Sequence, residues 1–444
     1  MLILVAMMAA HAQDLKFEAY TLPNGLEVIL YEDHTLPQVV VNTWYKVGSK
    51  DEAHGRSGFA HLFEHLMFMG TNRLPANGID MTMEANGGWN NAFTYQDATN
   101  YYDVGPANLL PMFLWIESDR MEQLGAAMTQ EKLDLQRDVV RNERRQSIED
   151  QPYASTELLT PVAMYPAGHP YAHSVIGSHA DLEAASLQDV KDFFATWYVP
   201  NNAVLVIAGD FDPAAAKQLV DKSFGHVATR PVPERVVPAP FTGTLTASQV
   251  MLDRVEVPQL DLYWHTPAMY AAGDAELTLV ANLLGQGESS RLYQRLVLGG
   301  LCQDVGVYQM GLLYDGNFAI SATAMEGVAI EKIEAAVNDE LQRLATTPPT
   351  AAEMERLHNQ YETSTLAGLQ SLQTRALTLA QYAAYTGEPG YLAKDLARFS
   401  AVDAAAVTAS AKKFLVEGTV TKIIVEPKVE DAPTDGAANA GGGQ

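Results

Sequence analysis

A proline-rich stretch at residues 229–242, carrying Pro231, Pro233, Pro238 and Pro240, cuts the 444-residue chain nearly in half. Proline fixes φ and withholds a backbone donor, so such a stretch reads as an extended linker, and each side must build its own core. The two sides also echo each other. Residues 186–194 have a helical pattern and lead into the strand-like run 203–208; residues 400–414 lead in the same way into 420–425. Within each half, β-rich stretches alternate irregularly with helical ones rich in Ala, Leu and Glu. This suits helices packed on one face of a mostly antiparallel sheet better than a doubly wound fold. The expected fold is α+β: two homologous domains, 13–228 and 243–427, joined by 229–242 and enclosing a cleft.

Composition narrows the partners. Apolar residues make up 47% of the chain, enough for sizeable cores, while 29 Lys and Arg against 54 Asp and Glu leave a net charge of −25. A phosphate backbone would meet a repulsive field, so nucleic acid is excluded as a partner. No apolar run approaches the roughly 20 residues that cross a bilayer, so no stable membrane insertion is expected. The apolar run 2–10 precedes Ala10-His11-Ala12, a small-x-small pattern, and residues 1–12 are expected to be a signal peptide removed on export, to the periplasm or an equivalent compartment. The single Cys302 excludes an internal disulfide and is expected as a buried thiol. Residues 428–444, rich in Asp, Pro, Ala and Gly, are expected to be a disordered tail.

The most informative segment is 59–67, in which Phe59, Leu62, Phe63, Leu66 and Met67 recur at helical spacing. At about 100° per residue those side chains share one face, and His61, Glu64 and His65 fall on the other. Two imidazoles one turn apart can hold a single ion, and the carboxylate beside them is placed to take a proton from metal-bound water: the inverted zinc motif His-x-x-Glu-His.

A catalytic zinc site usually takes a third protein ligand. Residues 131–148 read as a helix whose inward stripe is Leu133, Gln136, Val139, Val140, Glu143 and Ser147, with Arg137, Asp138, Arg141, Arg144 and Arg145 on the other side. A carboxylate on an apolar stripe needs a cation, and for Glu143 either a metal or a core Arg could serve; the His pair favours the metal. Gly87-Gly88 followed by Asn91-Ala92-Phe93-Thr94-Tyr95 reads as a strand entered through flexible glycines, on the residues alone a plain edge strand. His169 and His173 lie four apart, but Pro170 between them argues for a loop with both solvated.

These segments, with Leu22-Pro23-Asn24-Gly25-Leu26, residues 58–70, 87–94, 114–121 and 137–144, resemble the pitrilysin/insulinase zinc peptidases, most closely their two-domain branch that includes mitochondrial processing peptidase. The resemblance implies a zinc endopeptidase of unfolded or short extended peptides, with one zinc held by His61, His65 and Glu143 and with Glu64 as general base. It implies that Asn91, Ala92, Phe93 and Thr94 pair with the substrate backbone. Gln136 stands where the family usually has a second Glu, which makes it a candidate outer-shell residue around the zinc. The second half has no His-x-x-Glu-His and looks like the family's noncatalytic copy. Where that copy usually carries a substrate-clamping Arg and Tyr, this chain has Val297 and Gln303, with Arg295 and Tyr308 as possible substitutes in a shifted register. A heterodimer is therefore expected, in which a homologous noncatalytic subunit supplies the clamp. The rival reading is that this chain is itself a noncatalytic structural or binding subunit of the same fold.

Overall fold

The computed structural model describes residues 15–241 and 248–428; the expected signal peptide and residues 429–444 lie outside them. Strands β1 (Glu18–Thr21), β2 (Glu27–Glu32), β3 (Gln38–Tyr45), β4 (Trp89–Thr94), β5 (Thr99–Pro106) and β6 (Ala203–Gly209) form one sheet in the order β1-β2-β6-β3-β5-β4. Strands β7 (Ser248–Asp253), β8 (Gln259–Thr266), β9 (Cys302–Gly311), β10 (Gly316–Ala324) and β11 (Val420–Pro427) form the other in the order β7-β11-β8-β10-β9. Without β1 the two orders correspond strand for strand. In each, the last strand enters between the first and second, pairs parallel with the first (β2 with β6, β7 with β11), and is otherwise flanked by antiparallel partners. The repeat read in the sequence is thus a repeat of topology.

Both faces of the first sheet are covered, which is why β6 is an apolar run and β3 is buried along almost its whole length, Asn42 and Thr43 included, instead of alternating. Val39, Val41, Leu205 and Ile207 face the helices of their own half. On the opposite face, Val40, Trp44, Val204 and Val206 meet Ala376, Leu379, Ala380 and Ala383 of the Leu372–Thr386 helix, which belongs to the second half. The loan is reciprocal. Met164, at the end of the Thr156–Met164 helix, packs with Tyr263, Ala319 and Ile423 on the second sheet. Helices on one face per sheet is therefore only the part of the layering that each half makes for itself.

The halves are tied at Asp97, a buried residue in the β4–β5 turn. Its carboxylate accepts from Tyr171 Oη at 2.6 Å and, from the second half, Leu313 N at 2.8 Å. Beside this tie a cavity of about 340 Å³ opens between the halves, bounded by Gln96, Glu157, Tyr171, Tyr263 and Tyr308. Residues 228–241 have no regular secondary structure. Arg235 pins this stretch to the first half through Asp51 Oδ1 at 2.7 Å. Lys428, expected in the disordered tail, is instead ordered by its N–H, which donates to Asp253 O at 2.7 Å and continues the β7–β11 ladder. Cys302 is buried, and burial pushes its thiol up to about 11.

Candidate metal centre

The metal helix runs Phe59–Leu66 and starts from Gly58, whose φ of 88° is the left-handed conformation that glycine adopts without strain. A Cβ there would also come within 2.6 Å of Ile176 O. The first turn is capped from a distance: Glu52, itself buried, accepts from Gly58 N at 3.0 Å and Ala60 N at 2.7 Å. Phe59, Ala60, Leu62, Phe63 and Leu66 are buried, and Phe63 packs on Tyr198 with ring centroids 4.2 Å apart. This packing fixes the rotation of the helix, leaving His61, Glu64 and His65 on its partly open side.

The Gln130–Arg144 helix crosses that side and buries Leu133 and Val140. Its stripe is narrower than the sequence suggested, because Val139 is 40% exposed and Ser147 is also exposed. Glu143 stays on the inner side. Its Oε1 lies 3.7 Å from His61 Nε2 and its Oε2 lies 3.2 Å from His65 Nε2. The ligating atoms of all three lie within 4.8 Å of one another. A tetrahedral ion with ligands at 2.0–2.1 Å sets them about 3.3 Å apart, so both imidazole–carboxylate contacts lie within about half an ångström of that spacing, and the widest spacing in the group would have to close by up to about 1.5 Å.

The charge states fit as well. Burial, with His65 nearby, pushes His61 down to about 4, so at neutral pH its imidazole is uncharged and able to ligate. The hydrogen bond from His65 holds the Glu143 carboxyl below the usual range, so it is ionised. His61 Nδ1 is buried with no hydrogen-bond partner among the described residues, which leaves Nε2 as the ring's engaged nitrogen.

Glu64 stands beside the triangle and outside it. Burial pushes its carboxyl up, opposed by the hydrogen bond that Thr94 Oγ1 donates to Oε2 at 2.5 Å. Thr94 ends β4, the outer strand of its sheet. Tyr95 N donates to Ala98 O at 3.0 Å to close the β4–β5 hairpin, so by antiparallel alternation Asn91 and Phe93 bond inward while Asn90, Ala92 and Thr94 turn their backbone groups outward. Asn91 Oδ1 caps the outward Ala92 N–H at 2.8 Å. The Phe93 ring is committed to the core against Trp44, so only its backbone lies along the strand.

Gln136 donates from Nε2 to Met69 Sδ at 2.8 Å, tying its helix to the turn after the metal helix and not to any of the three candidate ligands. Arg295 is spoken for by Asp339 Oδ2 at 2.5 Å and Glu340 Oε2 at 3.7 Å, on the helical side of the second sheet, whereas Tyr308 lines the cavity on its other side. His169 and His173 lie in the expected loop but are only partly solvated. His169 stacks on Tyr165 with centroids 4.5 Å apart, and His173 Nδ1 lies 3.5 Å from the buried Glu52.

Two features escaped the sequence reading. One is the Thr94 hydroxyl on Glu64. The other is Arg120, 1% exposed, which pairs with the equally buried Glu117 and lies 4.6 Å over the Tyr101 ring and 5.5 Å from that of Phe68, beneath the metal helix. Three charges among apolar residues at 117–120 were the available signal.

Comparison with known proteins points to one family. The family model described as insulinase, peptidase family M16, matches residues 27–173, and the model of the peptidase M16 inactive domain matches residues 184–361. The chain is 29% identical to the zinc protease PqqE of Helicobacter pylori over 84% of this chain and 85% of that protein. It is 22% identical to a probable mitochondrial-processing peptidase subunit beta of Arabidopsis thaliana, over 93% of this chain and 78% of that one. Among solved structures, that of a protease from Helicobacter pylori superposes with a TM-score of 0.84 at 25% identity, covering 93% of this chain and 99% of the other.

Proposed function

The chain belongs to the insulinase family of peptidases, family M16, and from that premise we propose that it is a zinc-dependent endopeptidase subunit acting on unfolded or short extended peptides. The observation that carries this is the convergence of His61, His65 and Glu143 beside Glu64 and an unpaired sheet edge. Zinc, when bound, supplies Lewis acidity toward the scissile carbonyl and makes water acidic enough to attack near neutral pH. Glu64 takes a proton from the attacking water and passes it to the leaving amine. The outward backbone of Asn90, Ala92 and Thr94 orients an extended peptide by strand addition; because main chain and not side chains is read, many sequences are accepted.

The second half supports a noncatalytic role for itself, and the clamp positions support a partner. Val297 and Gln303 lack the expected clamping groups, and Arg295 and Tyr308 are poorly placed to replace them jointly: Arg295, in the helical turn 293–297, is paired with Asp339, while Tyr308 of β9 lines the cavity between the halves. A homologous subunit with an Arg and Tyr of its own would complete the site. The test is peptidase activity and zinc content of the purified chain, alone and with such a partner. Near-stoichiometric zinc and Glu64-dependent cleavage support the proposal; a chain that binds no zinc supports a structural or binding subunit instead.

A further inference from the structure

Thr94 joins two functions that the rest of the site keeps apart. Its backbone N–H and C=O point out from the free edge of β4, and its side chain points to the helical side of the sheet, where Oγ1 donates to Glu64 Oε2 at 2.5 Å. Glu64 hangs from a helix fixed by Phe63 and Leu66, but its own carboxylate is three torsions removed from that anchor, and packing does not set the plane of a carboxylate. A directed hydrogen bond can. With Oε2 occupied by Thr94, Oε1 is the oxygen left to take a proton, and the carboxylate plane is set.

Resting on the peptidase reading above, the geometry points to Thr94 as a positioning residue that aligns the Glu64 carboxylate and couples that alignment to the peptide bound on the same strand. A peptide adding to the edge pairs with Thr94's main chain and draws the residue into register. The hydroxyl moves with it, so the base is best aligned when the strand is filled. Asn91 supports this order of events: its Oδ1 holds the Ala92 N–H until a peptide carbonyl replaces it, which keeps the edge satisfied but not sealed. Thr94 thereby acts on the base, through Oγ1, in addition to the backbone pairing assigned to its strand.

The test compares Thr94→Val with Thr94→Ser in the full chain, in whichever assembly the parent cleaves peptides. Valine matches threonine in shape and strand preference and removes only the donor, whereas serine keeps the donor. Thr94→Val should lower kcat by about tenfold to a hundredfold, the range expected when a reacting group is misplaced without being lost. KM should stay within about twofold and zinc content should be unchanged, and Thr94→Ser should restore most of kcat. Crystal structures of the parent and of Thr94→Val supply a readout independent of activity: the Glu64 carboxylate should hold one orientation in the parent and turn or split in the variant. Parental kcat in Thr94→Val, or an unmoved carboxylate, overturns the assignment. If no variant and no parent cleaves peptide while the carboxylate still follows the hydroxyl, the peptidase reading fails and the positioning role stands.

Discussion

His65 Nε2 lies 3.2 Å from Glu143 Oε2, across the gap between the Phe59–Leu66 and Gln130–Arg144 helices, and this contact closes the donor triangle. Removing a corner should open it. His61→Ala and Glu143→Ala should each reduce zinc occupancy at least tenfold, read by elemental analysis after chelator-free purification. Glu64→Gln removes the proposed base and none of the candidate ligands. It should keep the metal and lose cleavage by about 10²- to 10⁴-fold.

Gln136 bonds Met69 and lies on the same stripe as Glu143. If it tunes the zinc from the outer shell, Gln136→Glu should shift zinc affinity by about tenfold or more, because it adds a negative charge two turns from a ligand. Competition with a chromophoric chelator measures this. An affinity within about twofold of the parent would confine Gln136 to packing the two helices together.

How much of this was legible depended on how locally each feature is encoded. The metal helix could be read because its apolar face, its two histidines and its base fall within one short periodic segment. Glu143 could be read because a lone carboxylate on a stripe with Leu133 and Val140 is out of place without a cation. The Thr94–Glu64 bond joins residues 30 apart on a strand and a helix, and no periodicity predicts which face of β4 meets that helix. The loan of the Leu372–Thr386 helix was equally hidden. Alanines at 376, 380 and 383 suit any close-packed surface, and only the fold shows that the surface is Trp44 and Val206 in the other half. His173 was misread for a related reason: its neighbour Glu52 comes from a separate segment of the chain.

Asp97 holds the halves together by accepting from Tyr171 and Leu313 in a buried turn. Asp97→Ala removes the acceptor from the buried Tyr171 hydroxyl, from the half-buried Leu313 N–H and from the longer Tyr385 contact, at a cost of about 2–3 kcal/mol. The loss falls on the contact between halves, so calorimetry should show a lower first transition and a separation of the two halves' melting. A single transition at the parental temperature would mean that the exchanged helices alone hold the halves together.

Acid should weaken one contact of the second half in a defined window. Glu353 takes two hydrogen bonds from Arg291, Nε at 2.8 Å and Nη2 at 3.0 Å, and caps its own helix through Thr350; chiefly through the Arg291 bonds, its carboxyl is held at about 2. A depressed folded-state pKa stabilises above the unfolded value near 4.5 and is lost as pH falls toward 2. Glu353→Gln should therefore lower stability by on the order of 1–2 kcal/mol at pH 7, with the deficit shrinking between about pH 4.5 and 2. Urea midpoints of parent and variant across that range measure it; a deficit that grows on acidification contradicts the sign.

The last prediction concerns what the chain cannot do alone. On the proposed reading it carries the donors and the base, yet Val297 and Gln303 stand where a peptide clamp is expected, and Arg295 is held by Asp339 and Glu340 away from the cavity that Tyr308 lines. A site that can activate water but holds its substrate weakly should show a high KM and a low kcat/KM, because positioning supplies much of the rate. A homologous subunit with an intact Arg and Tyr and a degraded His-x-x-Glu-His would supply what is missing without duplicating what is present. Mixed with the purified chain, it should form a complex burying on the order of 1,200 Å² or more. Peptidase activity should then rise well above the sum of the separate activities, with the gain mainly in KM. Substituting the partner's Arg should abolish the gain, and Arg295→Ala in this chain should leave it intact. Full activity of the isolated chain, lost on Arg295→Ala, would show that the chain clamps its own substrate and works without a partner.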